Sequence, residues 1–340
     1  MNRMLLWIFR GLLAVCLQLR YPAVTWKEEL PVRRDPSYAV YQNYRYAYEQ
    51  YGYLFSCPKP EEKTEGETVV LAQEQITPAQ NSPAQNSYPA LSQLQDYDYL
   101  MKHYFSVHAS TTAGRELMQA EKFLGTDLRL EKNPAVPQIL IYHTHASEQY
   151  ADYGVEHPDA TVVGAGTYLT KLLQMRGWNV IHDTTAYDQK EGKLERSRAY
   201  TYALQGIQGI LQKNPTIEVI LDLHRDGVAD SLHLVTEVDG KPTAQIMFFQ
   251  GMSRTPEGEI AYLPNPYLME NLAFCFQMQL ASGRYPGFTR KIYLKGLRYN
   301  LHLRGRSALI EAGAQTNTVQ EAYHAMELLA EVLDTVLQGN

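Results

Sequence analysis

The sequence predicts an α/β fold: a mainly parallel open sheet with flanking helices and an added β-hairpin. Three observations predict it. Short apolar runs at 138–143, 178–183, 216–226 and 307–313 have the length of buried strands. Between the first three lie stretches of helical pattern, 161–176 and 193–213, long enough for the crossovers of βαβ units. Side chains of metal-ligand type gather where the runs end, the place where open parallel sheets collect their functional groups.

The elements follow in chain order. The opening 1-MNRMLLWIFRGLLAVCLQLRYPAV-24 is apolar between Arg3 and Arg20 and is interrupted by Arg10. It reads as a signal-anchor or signal peptide, which places the body outside the cytoplasmic membrane, anchored or secreted. Arg10 at mid-bilayer would cost roughly 2.5–3.5 kcal/mol. Residues 25–57 form a Tyr-rich region without core periodicity. Residues 58–96 are rich in Pro, Gln, Asn, Ser and Glu and contain the repeat PAQNSPAQNS, the composition of a flexible linker that buries too little to offset chain entropy.

The folded domain is expected from 97 to 340. The segment 117–130 reads as a short helix with a lead-in, and 138–143 as the first strand. The helix over 161–176 stops at Gly177, and 178–183 is a strand. The helix over 193–213 leads to the strand 216–226. Asp239-Gly240 between 232–238 and 244–250 signals a hairpin. A helix fits 267–282 and a strand 307–313. The last helix starts with capping-box spacing, Thr318 to Glu321, and then carries a stripe through Val319, Ala322, Tyr323, Met326, Leu329, Ala330 and Leu333.

Composition excludes some functions. A chain of 340 residues, 45% hydrophobic and with a formal net charge of -6, holds a sizeable core and lacks the basic excess of nucleic-acid binders. The three cysteines, Cys16, Cys57 and Cys275, form no Cys-x-x-Cys pair, which argues against a thiolate zinc site. A Cys57–Cys275 bridge is left open. No HExxH, Gly-x-Ser-x-Gly or phosphate loop occurs.

The chemistry gathers at three strand ends: His143, His145 and Glu148; Asp222, His224, Arg225 and Asp226; and Glu311. Two imidazoles and a carboxylate make a three-ligand zinc site that keeps a position for water. His145, Glu148 and His224 are the expected ligands, with His143 as the alternative. Residues two apart on a strand share a face, so preferring His145 to His143 requires the chain to turn after His143. Asp222 is either a partner that orients a ligand or an ordinary salt-bridge residue. Arg225 is a candidate for a substrate carboxylate, with an internal ion pair as the alternative. A further carboxylate, Glu311, would serve as general base and then general acid in metal-assisted amide hydrolysis.

At these residues the sequence resembles the stage II sporulation protein P family of endospore-forming bacteria. The resemblance lies in 140-LIYHTHASEQY-150, 177-GWNVIHDTTAYD-188, 218-EVILDLHRDG-227, 296-GLRYNLHL-303 and 308-ALIEAGAQTNTVQEA-322, with 119-QAEKFLGTDLRL-130 as the approach. It runs from about residue 97 to the C-terminus. The family's HTH-x-[ST]-E motif falls on His143 to Glu148, its L-H-R-D motif ends on His224 to Asp226, and its E-x-G…N-T motif covers Glu311 to Thr318. His302, in the fourth stretch, joins Arg225 as a substrate-binding candidate. The departures are Gly227 and Ala312, where the family usually has Ala and often has Val, and an anchor segment that is short and broken by Arg10.

The resemblance implies a zinc-dependent peptidoglycan hydrolase with the fold of the N-acetylmuramoyl-L-alanine amidases. Such an enzyme cuts the amide between muramic acid and L-alanine, with endopeptidase action on peptide crosslinks also attributed to the family. It is anchored in the mother-cell membrane, acts during forespore engulfment, and has stage II sporulation proteins D and M as partners. Amidases of that superfamily usually carry their ligand glutamate on the helix after the first strand. Here that helix begins TVVGAG and offers no carboxylate, so Glu148 is the expected ligand. The alternatives are a zinc carboxypeptidase or endopeptidase without amidase activity, and a non-catalytic wall-binding scaffold.

Overall fold

The computed structural model describes residues 89–152 and 157–339. The proposed signal segment 1–24, the Tyr-rich region 25–57, most of the linker and Cys57 lie outside the described residues. Among the described residues, no helix is long and apolar enough to cross a membrane.

Seven strands form the central sheet: β1 (Phe105–Val107), β2 (Ile139–Tyr142), β3 (Val180–His182), β4 (Val219–Asp226), β7 (Ile246–Gly251), β8 (Ile292–Lys295) and β9 (Arg306–Ala314). Their order is β1-β8-β7-β9-β4-β2-β3. Every neighbouring pair is parallel except β7 with β9. The sheet is therefore mainly parallel and open, as expected, but it consists of two parallel blocks running in opposite directions. At the seam, Glu311 of β9 faces Met247 of β7 and, on its other side, His224 of β4. The starts of β7 and β8 thus share one edge with the ends of β2, β4 and β9.

Helices cover both faces. On one side α4 (Val162–Met175), α6 (Leu268–Ala281) and α7 (Val319–Gln338) pack in a layer, α4 against α7 and α7 against α6, with the short α3 (Ala120–Gly125) against α6. On the other side α5 (Ala199–Lys213) lays Ala203, Ile207 and Leu211 on Leu140, Tyr142 and Ile220. Local chemistry sets the helix ends. Thr161 caps α4 through Oγ1, which accepts from the Val163 amide at 3.2 Å, and Gly177 at φ 92° leads out of the helix end. Thr318 and Glu321 form the expected capping box of α7. Cys275 on α6 is a buried free thiol, pushed up to about 12 by burial.

Two expectations need correction. Residues 89–96, assigned to the linker by composition, are part of the fold. Helix α1 (Leu91–Gln95) buries Leu94, and Asp96 caps α2 (Tyr97–Tyr104) by accepting from the Tyr99 amide at 2.7 Å. The hairpin is also shorter than expected. It pairs β5 (Val235–Val238) with β6 (Lys241–Ala244) around Asp239 and Gly240, both at positive φ. The run 246–251 is not its second arm. It is fully buried and enters the central sheet as β7, because an apolar run on both faces suits an interior strand better than a surface hairpin. The short strands β1 and β8 were not anticipated at all.

Candidate metal centre

The run 139–142 is buried throughout, and its last residues alternate across the sheet. Tyr142 faces α5, while His143 lies beneath α4. There both ring nitrogens of His143 are occupied, Nδ1 at 2.7 Å from the Leu223 carbonyl and Nε2 at 2.8 Å from His182 Nε2. Burial holds its pKa down at about 3, with His182 adding to the depression. His143 is thus packed into the sheet and turned away from the other candidate ligands.

Residues 144–147 form a turn closed by the Glu148 amide donating to the His145 carbonyl at 3.1 Å. This reverses the alternation and sends His145 and Glu148 to the opposite side from His143. Two anchors hold the turn. Thr144 donates to Asp222 through its amide at 2.9 Å and its hydroxyl at 2.7 Å. Ser147 donates to Asp188 Oδ2 through its amide at 3.2 Å and also through its hydroxyl.

On β4, Asp222 and His224 lie two residues apart on one face. His145, Glu148 and His224 come together there, one ligand atom from each lying within 4.8 Å of the others. Glu148 is the hub. Its Oε1 lies 3.5 Å from His145 Nδ1 and 3.6 Å from Arg196 Nη1. Its Oε2 lies 3.3 Å from His224 Nδ1 and accepts from the Arg225 amide at 3.1 Å. Burial alone would raise the Glu148 pKa, but hydrogen bonds from His145 and His224 hold it well below the usual carboxylate range. His224 Nε2 sits 2.7 Å from Asp222 Oδ1, a charge contact off the line of a good hydrogen bond. Burial opposes protonation of His224, and the Asp222 carboxylate outweighs it, so the imidazole is held well above its ordinary value.

Glu311 is brought beside the cluster as the register partner of His224. Its Oε2 is buried and has no hydrogen-bond partner. Burial pushes its pKa up to about 8, with Glu148 and Asp226 adding to the rise and His224 opposing it. It is not among the three clustered donors.

The two substrate-binding candidates are placed less directly. Arg225 is tied to main-chain oxygens, Nε to Gln149 at 3.0 Å and Nη1 to Asp226 at 3.2 Å. His302 lies on a 3-10 turn, Leu301–Leu303, and its Nδ1 is buried without a partner. Burial lowers its pKa to about 4, with Arg298 adding to the effect. Sequence reasoning missed Arg196 beside Glu148 and Tyr200, whose ring stands 5.7 Å from that of His145. Neither carries a local signal, since both come from the irregular lead-in and first turn of α5. Asp188 closes one of the matched stretches, yet nothing in its spacing shows that it grips Ser147.

A model of the stage II sporulation protein P family matches residues 26–334. The stage II sporulation protein P of Bacillus subtilis (strain 168) is 26% identical over 210 residues, which is 57% of this chain and 49% of the relative. The chain therefore spans about half the length of that curated relative. Among solved structures, the CwlD amidase from Clostridioides difficile in complex with the GerS lipoprotein is similar at a TM-score of 0.37 and 13% identity, over 59% of this chain and 97% of that one. An N-acetylmuramoyl-L-alanine amidase from Clostridium difficile 630 is similar at a TM-score of 0.36 and 12% identity, over 60% and 96%.

Proposed function

The chain belongs to the stage II sporulation protein P family, and from that premise we propose that it is a zinc-dependent peptidoglycan hydrolase of sporulation. It cleaves the amide between N-acetylmuramic acid and L-alanine. The observation that carries this reading is the buried His145–Glu148–His224 cluster with the unpartnered carboxyl oxygen of Glu311 beside it. The donor set fits zinc: two imidazoles and one ionised carboxylate, with no fourth protein donor in the group.

Zinc held by His145, Glu148 and His224 would polarise the scissile carbonyl and make the attacking water more acidic. The remaining work falls to the chain. Asp222 holds the far nitrogen of His224 and fixes the ring, as partners of metal-binding histidines do. The same carboxylate grips Thr144, so one residue orients both the β4 ligand and the turn that carries the other two. In its ionised form Glu311 takes the proton of the attacking water on its free oxygen and hands it to the leaving amide nitrogen. The enzyme works outside the cytoplasmic membrane, anchored in the mother-cell membrane or secreted through residues 1–24. Stage II sporulation proteins D and M are its proposed partners.

The test is hydrolysis of purified sacculi by the zinc-loaded chain, with products identified by mass spectrometry. Stem peptides with a free L-alanine amine should appear and should vanish with chelator. Cuts confined to the peptide would make the chain an endopeptidase or carboxypeptidase instead, and no cut at all would make it a scaffold. Zinc content should fall in His145→Ala and His224→Ala and persist in His143→Ala. Zinc retained in His145→Ala would overturn the ligand set.

A further inference from the structure

Beyond Glu311, on the same face of the sheet as α5 but past the reach of that helix, lies a cleft of about 580 Å³. Its polar lining includes Asp226, Glu311, Arg290, Lys291, Tyr293 and Lys295, over a floor that includes Phe249. The antiparallel seam puts these groups together. Arg290 and Lys291 immediately precede β8, whose start lies at the edge where β4 and β9 end. Lys291, Tyr293 and Lys295 then follow at every second position along β8, while Ile292 and Leu294 between them are buried on the other side. In a chain of formal net charge -6, three cations thus line one cleft beside the proposed metal centre.

Arg290 differs from the other arginines near the site. Its backbone is pinned by its amide donating to the Ile246 carbonyl at 2.8 Å. Its Nη1 binds Asp226 Oδ2 at 2.9 Å, which fixes the guanidinium plane. Its Nε and Nη2 are both buried and have no hydrogen-bond partner. Those two nitrogens form one edge of the guanidinium, a fork whose parallel N–H groups match the two oxygens of a carboxylate. Two buried charged donors left bare are costly unless a ligand meets them. Arg225, the candidate from sequence, already spends Nε and Nη1 on main-chain carbonyls.

We infer that Arg290 is the carboxylate receptor of the substrate cleft: its free edge binds a carboxylate of an acidic peptide whose scissile amide lies at the His145–Glu148–His224 cluster. This rests on the hydrolase reading for the identity of the peptide, the peptidoglycan stem, and it deepens that reading by making the unamidated stem the preferred substrate. Lys291 and Lys295 add positive field along the cleft, and Tyr293 and Phe249 supply apolar surface for the peptide backbone to cross. A site built to pair a charged group rejects the analogue that lacks it, because the site's own donors are then left bare.

The test is equilibrium binding to the zinc-loaded full chain carrying Glu311→Gln, so that the ligand is not consumed. The probes are a disaccharide-tetrapeptide muropeptide with free carboxylates and the same compound amidated at them. The acid form should bind roughly 10- to 100-fold more tightly, the worth of one charge-assisted pair. Adding Arg290→Gln should abolish that preference, and Arg290→Lys should keep part of it, since charge remains and the fork is lost. Zinc content and melting temperature of the Arg290→Lys protein should match those of its parent. Equal affinity for both forms, no binding of either, or a preference that survives Arg290→Gln would overturn the inference. Hydrolysis by the unsubstituted chain is scored separately. Failure to cut either form sinks the hydrolase reading, whereas a carboxylate preference in binding stands or falls without turnover.

Discussion

Glu148 and Glu311 are carboxylates on the same edge of the sheet, pushed in opposite directions by their neighbours. Glu148 is buried among donors, with His145, His224, Arg196 and the Arg225 amide within 3.6 Å, and stays ionised. Glu311 is buried with one oxygen bare, and its pKa is raised to about 8. Divergent carboxylates of this kind fit the proposed division of labour, one to hold a cation and one to move a proton. Glu311→Gln should therefore leave zinc binding intact and lower turnover about 10²–10⁴-fold. Normal turnover would remove Glu311 from the mechanism, and lost zinc would make it a ligand. The same residue gives a pH signature in the metal-free protein. Its carboxyl keeps its proton up to about 8 in the fold, whereas the unfolded chain releases it near its ordinary value of 4.5. Within that window the folded state binds more protons, so its contribution to stability is complete below the window and is lost as pH rises through it. Glu311→Gln should thus raise the melting temperature of chelator-treated protein more at pH 8 than at pH 5. An equal shift at both pH values would refute the perturbed carboxyl.

Among elements, the packing of α4 on β2 and β3 decides what His143 can do. Gly166 sits where a Cβ would lie 2.7 Å from two atoms of the His143 ring and 2.8 Å from His182 Nε2. The helix can approach this closely only because the position has no side chain. Gly166→Ala should destabilise by about 1–3 kcal/mol through overpacking, read as a fall in denaturant midpoint with unchanged slope. No loss of stability would mean that the histidine pair moves freely. The pair also makes the element acid-sensitive. Burial lowers His143 to about 3 and His182 to about 4, so both stay neutral in the fold while their unfolded counterparts charge near 6.5. The unfolded state then binds more protons, and the stability these rings contribute is lost as pH falls from about 6.5 towards those values. The Thr144–Asp222–His224 chain works the other way, binding the turn to β4 so that the proposed ligands of two strands keep one geometry.

For the whole molecule, the folded unit reaches back at least to the start of α1. Leu94 is buried, and Asp96 caps α2. A chain beginning at residue 89 should melt higher than one beginning at 97. The shorter chain loses the cap, worth about 1 kcal/mol, and the burial of Leu94, worth roughly 1.5–3 kcal/mol. Equal melting would return residues 89–96 to the linker. In the full chain, the composition of 58–88 predicts that limited proteolysis cuts there first. The reversal of direction between β7 and β9 has the widest consequence. It joins the ends of β2, β4 and β9, which carry the proposed ligands and Glu311, to the cations that lead into β8, so the proposed metal centre and the cleft share one edge.

The sequence by itself determined the parallel βαβ core and the edge on which the chemistry sits. Both are set by short-range patterns: apolar runs of strand length, helical periodicity between them, and His145, Glu148, His224 and Glu311 at run ends. It also carried the family motifs that point to peptidoglycan. Only the tertiary structure decided which histidine of the pair 143/145 joins the cluster, because that depends on a turn held by Asp222 and Asp188, 78 and 41 residues away. Only the tertiary structure moved 246–251 from the hairpin into the sheet, since a buried run reads alike in either place until its neighbours are known. The same holds for arginine. Arg225 lies inside a motif and Arg290 does not, yet Arg225 is spent on main-chain carbonyls while Arg290 keeps two nitrogens free. Local sequence specifies what a residue is able to bind, and long-range packing specifies what is left for it to bind.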